Sequence, residues 1–131
     1  MAKFVGSLAS GHAPNIARDH ETMNAESRAF LDKGFAELGE RFRALAPDVV
    51  VVHSTDHWAN FFIDNMPAFC VGIGDEHLGP PEPFMKPVFP HETLPGHAGL
   101  GRHIVDHAYD HGFDPSWSRQ LKLDHGVCVP L

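Results

Sequence analysis

The sequence predicts an α/β fold with a mainly parallel sheet flanked by helices. Three observations point that way. Val49–Val52 is a continuous β-branched run, the pattern of a strand buried on both faces of a covered sheet. A long stretch before it carries apolar residues at spacings of three and four, the signature of an amphipathic helix. Strand-like and helix-like segments then alternate along the chain, as parallel sheets with crossover helices require.

Lys3–Leu8 (KFVGSL) reads as a short first strand that ends in the small, polar run ASGHAPN. The helix follows. Phe30, Leu31, Phe35, Leu38, Phe42 and Leu45 share one stripe, ETMNAESRAF supplies an acidic front, and Pro47 closes the element. DVVVVH is the second strand, with His53 continuing it in a partly buried, structural place. AFCVGIG (Ala68–Gly74) is a third. A long irregular loop comes next, because six of the eleven prolines lie between Pro80 and Pro95, and such loops often carry function. A second helix runs from about His97 to His111 and stops at Gly112, the residue type that ends helices. SWSRQL and VCVPL are weaker strand candidates.

The 131 residues are enough for one domain, 1–131. A net charge of −7 argues against nucleic acid or an anionic membrane as the main partner. Cys70 and Cys128 make no disulfide framework and suit a reducing, cytoplasmic setting. The segment MAKFVGSLASGHAP lacks the charge and apolar length of a secretory signal. No segment approaches the about 20 apolar residues of a membrane span.

Eleven histidines are many for this length, and histidine is both a common metal ligand and the acid or base of neutral pH. Asp-His occurs five times, so the pair alone says little. Ligands of open α/β sheets bind beyond the carboxyl ends of strands. His12 follows the first strand and His57 follows the valine strand, which would bring both to one edge; a solvated or hydrogen-bonded loop histidine is the alternative for each. Asp56 reads as a turn cap or a neighbour of a ligand. Trp58, Phe61 and Phe62 could line an aromatic-substrate pocket or belong to the core. His103, His107 and His111 share a helix face with Asp106 and Asp110, which reads as the wet face. His125 precedes Gly126 and the strand-like VCVPL, which would pin it at a strand edge where backbone can approach a neighbour closely; a satisfied turn histidine is the alternative.

In order, GHAPN, PDVVVVHSTDHWANFF with NMPAFCVGIG, GHAGLGRHI and LDHGVCVPL resemble segments of the class III extradiol ring-cleavage dioxygenases. The likeness is collinear, spans almost the whole chain, and is strongest in texture to the dihydroxyphenylpropionate branch. It implies that His12 and His57 bind Fe(II) and that His125 is catalytic, near substrate and dioxygen. Trp58 and Phe61 would then wall the ring site. The partners implied are a small aromatic diol and dioxygen, in what is expected to be a homo-oligomer. The family's glutamate ligand and its Gly-Gly-x-Ser-His histidine have no counterpart here, and Glu76, Glu82 and Glu92 do not match that glutamate. The expectation is therefore an incomplete, N-terminal part of a larger catalytic domain, with apolar edges that favour self-association. The rival expectations are a non-catalytic or truncated domain of the same fold, a zinc hydrolase-like site on His12, His57 and Asp56, and a metal- or proton-buffering domain on the His103 face.

Overall fold

The computed structural model describes residues 2–131. Its elements are α1 (Asn15–Arg18), α2 (Ala25–Leu45), β1 (Cys70–Gly72), β2 (Glu76–Leu78), β3 (Thr93–Pro95), α3 (Ala98–Asp110), β4 (Ser116–Ser118) and α4 (His125–Cys128), with 3₁₀ turns at His20–Thr22 and Pro83–Met85. β1 and β4 pair in parallel, Val71 opposite Trp117, and α3 makes the crossover between them. The α/β class with a parallel sheet and helical cover is thus present.

α3 lies on β1 because its inward face is small. Ala98, Gly101 and Val105 are its buried residues, spaced as one helical stripe. A Cβ at Gly101 would stand 2.5 Å from the Gly72 carbonyl oxygen and 3.0 Å from Ile73 Cα, so only glycine lets the backbones meet. The His97 imidazole caps the helix by accepting from Leu100 N–H, and Gly112 at φ 79° ends the turn beyond it.

The proline-rich segment is more ordered than its composition suggests. β2 and β3 form an antiparallel pair within it, Glu76 opposite Pro95 and Leu78 opposite Thr93. Between them the Pro83–Met85 turn buries Met85 to 1% exposure. That turn packs against α1, which brings the GHAPN segment to the same side of the molecule.

α2 begins and ends where its signals lie. Asn24 caps it by accepting from Ser27 N–H, and Ala46 adopts a left-handed conformation just before Pro47. Leu31, Phe35 and Leu38 face a groove that they share with Ala9, Gly11 and Ile16. Phe30 stays 77% exposed, so the stripe is covered only in part.

Three expected strands are not formed. Lys3–Leu8 has no strand partner among the described residues, and Phe4 is 80% exposed. Val49–Val52 is likewise unpaired and exposed, up to 70% at Val51, and His53 is exposed with it. β-branched residues favour a strand only where a pleated, half-buried surface receives them, and no neighbouring ladder supplies one. VCVPL is also no strand: His125–Cys128 is helical, because the Asp124 carboxylate caps the turn at Gly126 N–H. No helix among the described residues is long and apolar enough to cross a membrane.

Candidate metal centre

The loop after the valine run is held by side chains. Asp56 accepts from Asn60 N–H, Asn60 Nδ2 and Phe61 N–H, wrapping the chain around Trp58. Trp58 sits at φ 64°, a conformation rare for a bulky residue and characteristic of constrained functional loops. Asn60 then ties this loop to a distant strand edge: its Oδ1 accepts from Lys122 N–H at 2.8 Å and its Nδ2 donates to Lys122 O at 2.9 Å.

The strand edge is itself fixed. Leu78 N–H donates to Leu121 O and Leu123 N–H donates to Leu78 O, each at 2.9 Å, so residues 121–123 run beside β2. His77, 9% exposed, accepts from Leu121 N–H through Nδ1. Burial lowers its pKa, keeping the ring neutral. This frame delivers Asp124 and His125 to the Asp56 loop.

Asp124, 2% exposed, joins the two segments. Its Oδ2 accepts from His57 N–H at 2.7 Å and lies 3.3 Å from His57 Nδ1, while Oδ1 accepts from Gly126 N–H at 2.8 Å. A side chain at residue 126 has no room, since a Cβ there would stand 2.8 Å from Ser54 Oγ and 3.0 Å from His57 Cε1. Glycine at 126 therefore lets α4 start against His57.

His125, 7% exposed, stacks beside His57 with ring centroids 4.3 Å apart. Its Nδ1 meets Glu82 Oε1 at 2.7 Å, and its backbone N–H donates to the same oxygen at 3.2 Å. His12 completes the group, 5.2 Å from His57 and 6.3 Å from His125 by ring centroid. Three imidazoles thus converge, and in two of them Nδ1 faces a carboxylate, leaving Nε2 free for an ion. This is how metal-binding histidines are commonly oriented. His57, Asp124 and His125 also each offer a ligand atom within 4.8 Å of the others. Imidazole nitrogen suits iron, zinc, copper and nickel, so the donor set fits a divalent transition ion.

Cys128 lies behind the cluster. Burial, with Glu82 and Asp124 nearby, pushes its thiol up to about 12, and its S–H donates to Leu123 O at 3.2 Å.

His12, His57 and His125, which the sequence singled out, are therefore neighbours. Trp58 stacks on Phe62 at 6.4 Å and is 55% exposed, and Phe61 is half-buried in the Asp56 turn. The Phe84 ring lies 6.2 Å from that of His125. His125 opens a helix rather than standing at a strand edge. Asp56 serves its turn and lies outside the cluster, and His103, His107 and His111 are exposed. Sequence reasoning missed Asp124 and Glu82. Asp124 was hidden among five equivalent Asp-His pairs, though LDHG before an apolar run is a helix-cap signal; Glu82 gives no periodic signal at all.

Residues 6–131 match the family model of the catalytic LigB subunit of aromatic ring-opening dioxygenase. The chain belongs to that family. It is 32% identical over 124 residues to the 2,3-dihydroxyphenylpropionate/2,3-dihydroxicinnamic acid 1,2-dioxygenase of Rhodococcus rhodochrous, covering 95% of this chain and 37% of the relative. The enzymes of the same description from Photorhabdus laumondii and Comamonas testosteroni are 32% and 28% identical over 74% and 95% of this chain, and 29% and 36% of theirs. This LigB-family chain thus spans about a third of the length of the curated relatives it matches, and all three clustered histidines fall inside the family match.

Proposed function

We propose that this chain carries the histidine part of an Fe(II)-dependent extradiol centre that opens a catechol-type ring with dioxygen, acting together with residues beyond the 131. The convergence of His12, His57 and His125 carries this reading, and the relatives' ring-opening chemistry supports it.

In this reading His12 and His57 hold the metal through imidazole nitrogen. Asp124 fixes the His57 ring, since an ionised carboxylate can only accept and so keeps the proton on Nδ1. Asp124 is already engaged by His57 and Gly126, and in this reading it orients His57 while a carboxylate from beyond residue 131 serves the metal. Bound Fe(II) supplies the electronic link between the diol and dioxygen. His125 stands beside His57 as the group that takes and returns the diol proton, a task suited to imidazole near neutral pH. Trp58 and Phe61 wall the aromatic ring and limit water, with Phe84 on the His125 side. The protein is a cytoplasmic homo-oligomer, a reading supported by apolar side chains exposed in this chain, such as Phe4 and Val51.

The test is anaerobic loading with Fe(II), addition of 2,3-dihydroxyphenylpropionate or protocatechuate, and then air. A yellow ring-opened product is expected from a chain extended past residue 131, with stoichiometric Fe(II) binding that is lost in His12→Ala and His57→Ala. Failure to bind Fe(II) together with stoichiometric Zn²⁺ binding would overturn the iron assignment in favour of a zinc site.

A further inference from the structure

We propose that Glu82 is a positioning residue for His125: it holds the ring in its Nδ1–H tautomer and so leaves Nε2 bare as a proton acceptor, on a ring that lies beside His57. The proposal rests on the ring-cleavage reading for its consequence, and on contacts within this chain for its substance.

Four observations converge on Glu82. Its Oε1 meets His125 Nδ1 at 2.7 Å, a charge-assisted distance. The same oxygen accepts from His125 N–H at 3.2 Å, so ring and backbone are gripped from one point. The His125 side chain is only 9% exposed, which removes water as a competing partner. Finally, Glu82 Oε2 is buried with no hydrogen-bond partner. A buried unsatisfied oxygen costs about 1–3 kcal/mol, so stability alone gives little reason to put a carboxylate here. All of its hydrogen bonding is spent on His125.

The chemistry follows from the donor inventory. A neutral imidazole has one N–H and one bare nitrogen, and a carboxylate can only accept. With Nδ1 at Oε1 the proton sits on Nδ1, although an unrestrained histidine favours Nε2–H. His57 is treated the same way by Asp124, yet the two carboxylates arrive from opposite parts of the chain. Asp124 is adjacent to His125 in sequence and serves His57, while Glu82 reaches in from the β2–β3 connection. Pro83, directly after Glu82, starts the 3₁₀ turn that fixes the approach, and buried Met85 anchors that turn from below. The proline-rich segment is thereby given a job: it presents one carboxylate.

The test reads the tautomer directly. Long-range ¹H–¹⁵N correlation spectra of the metal-free chain at mildly alkaline pH should show protonated Nδ1 and bare Nε2 at His125. Glu82→Gln, whose carbonyl oxygen still accepts, should retain this pattern. Glu82→Ala should return His125 to mostly Nε2–H while the His57 signals stay in place. Should Glu82→Ala not fold, Glu82→Met fills the same space with only a weakly accepting thioether and gives the same reading. Nε2–H in the unaltered chain, or Nδ1–H surviving in the Ala or Met variant, would overturn the proposal. Absence of ring cleavage by a chain extended past residue 131, with Fe(II), diol and air, would sink the ring-cleavage reading and leave the tautomer result standing.

Discussion

His57 and Asp124, 67 positions apart, are joined twice: the Asp124 Oδ2 accepts from the His57 backbone N–H at 2.7 Å and lies 3.3 Å from its ring Nδ1. One buried carboxylate thus sets both where the backbone of His57 lies and how its ring is turned. Its other oxygen caps α4.

Asp124→Ala should therefore damage fold and site together. Loss of the cap costs about 1 kcal/mol, and the unpaired buried N–H of His57 adds about 1–3 kcal/mol. Urea denaturation should show a loss of about 2–4 kcal/mol. Metal affinity, read by Co²⁺ titration, should fall roughly 10–100-fold, the usual effect of losing a ligand's orienting partner. Asp124→Asn, which keeps one acceptor, should fall between.

Gly126→Ala should act through crowding. The added methyl would stand 2.8 Å from Ser54 Oγ, 2.9 Å from Asp124 Oδ1 and 3.0 Å from His57 Cε1. Overpacking of this kind costs about 1–3 kcal/mol. The ring signals of His57 should shift in NMR spectra, whereas Gly11→Ala, which has open space around it, should leave them unmoved.

His77 should make the fold acid-sensitive near neutrality. Burial lowers its pKa from 6.5, so the unfolded chain takes up the proton first. Stability contributed by the neutral ring is complete above pH 6.5 and is lost as pH falls from there toward the folded-state value. Chemical denaturation across pH 5–7 should show this slope, and His77→Gln should flatten it.

Cys128 should resist alkylation. Its thiol is pushed up to about 12, and it is the thiolate that reacts. Iodoacetamide at pH 8 should modify Cys128 only after denaturant is added. Rapid labelling of the native chain at Cys128 would contradict its burial at 3% exposure.

The legible parts of the sequence were those with a local cause. Helix α2 lies between its Asn24 cap and Pro47, and α3 between His97 and Gly112, because capping and termination are written within a few residues. His12, His57 and His125 could be singled out by position relative to expected strands and by resemblance. Val49–Val52 misled, since a β-branched run declares a preference but cannot declare its neighbours. VCVPL misled for the opposite reason: the single Asp124 side chain outweighs its strand propensity. The Glu82–His125 pair was out of reach, because 43 positions and a proline-rich segment separate two residues whose meeting depends on the β2–β3 pairing.

The latch between His57 and Asp124 also has a tempo. A chain emerges from the ribosome at about 5–20 residues per second, so the 67 positions between them mean that His57 waits about 3–13 s for its anchor. For that interval His57 has neither the acceptor for its backbone N–H nor the carboxylate that turns its ring. The orientation of His57 is therefore a late event of synthesis, set only once residue 124 has been added.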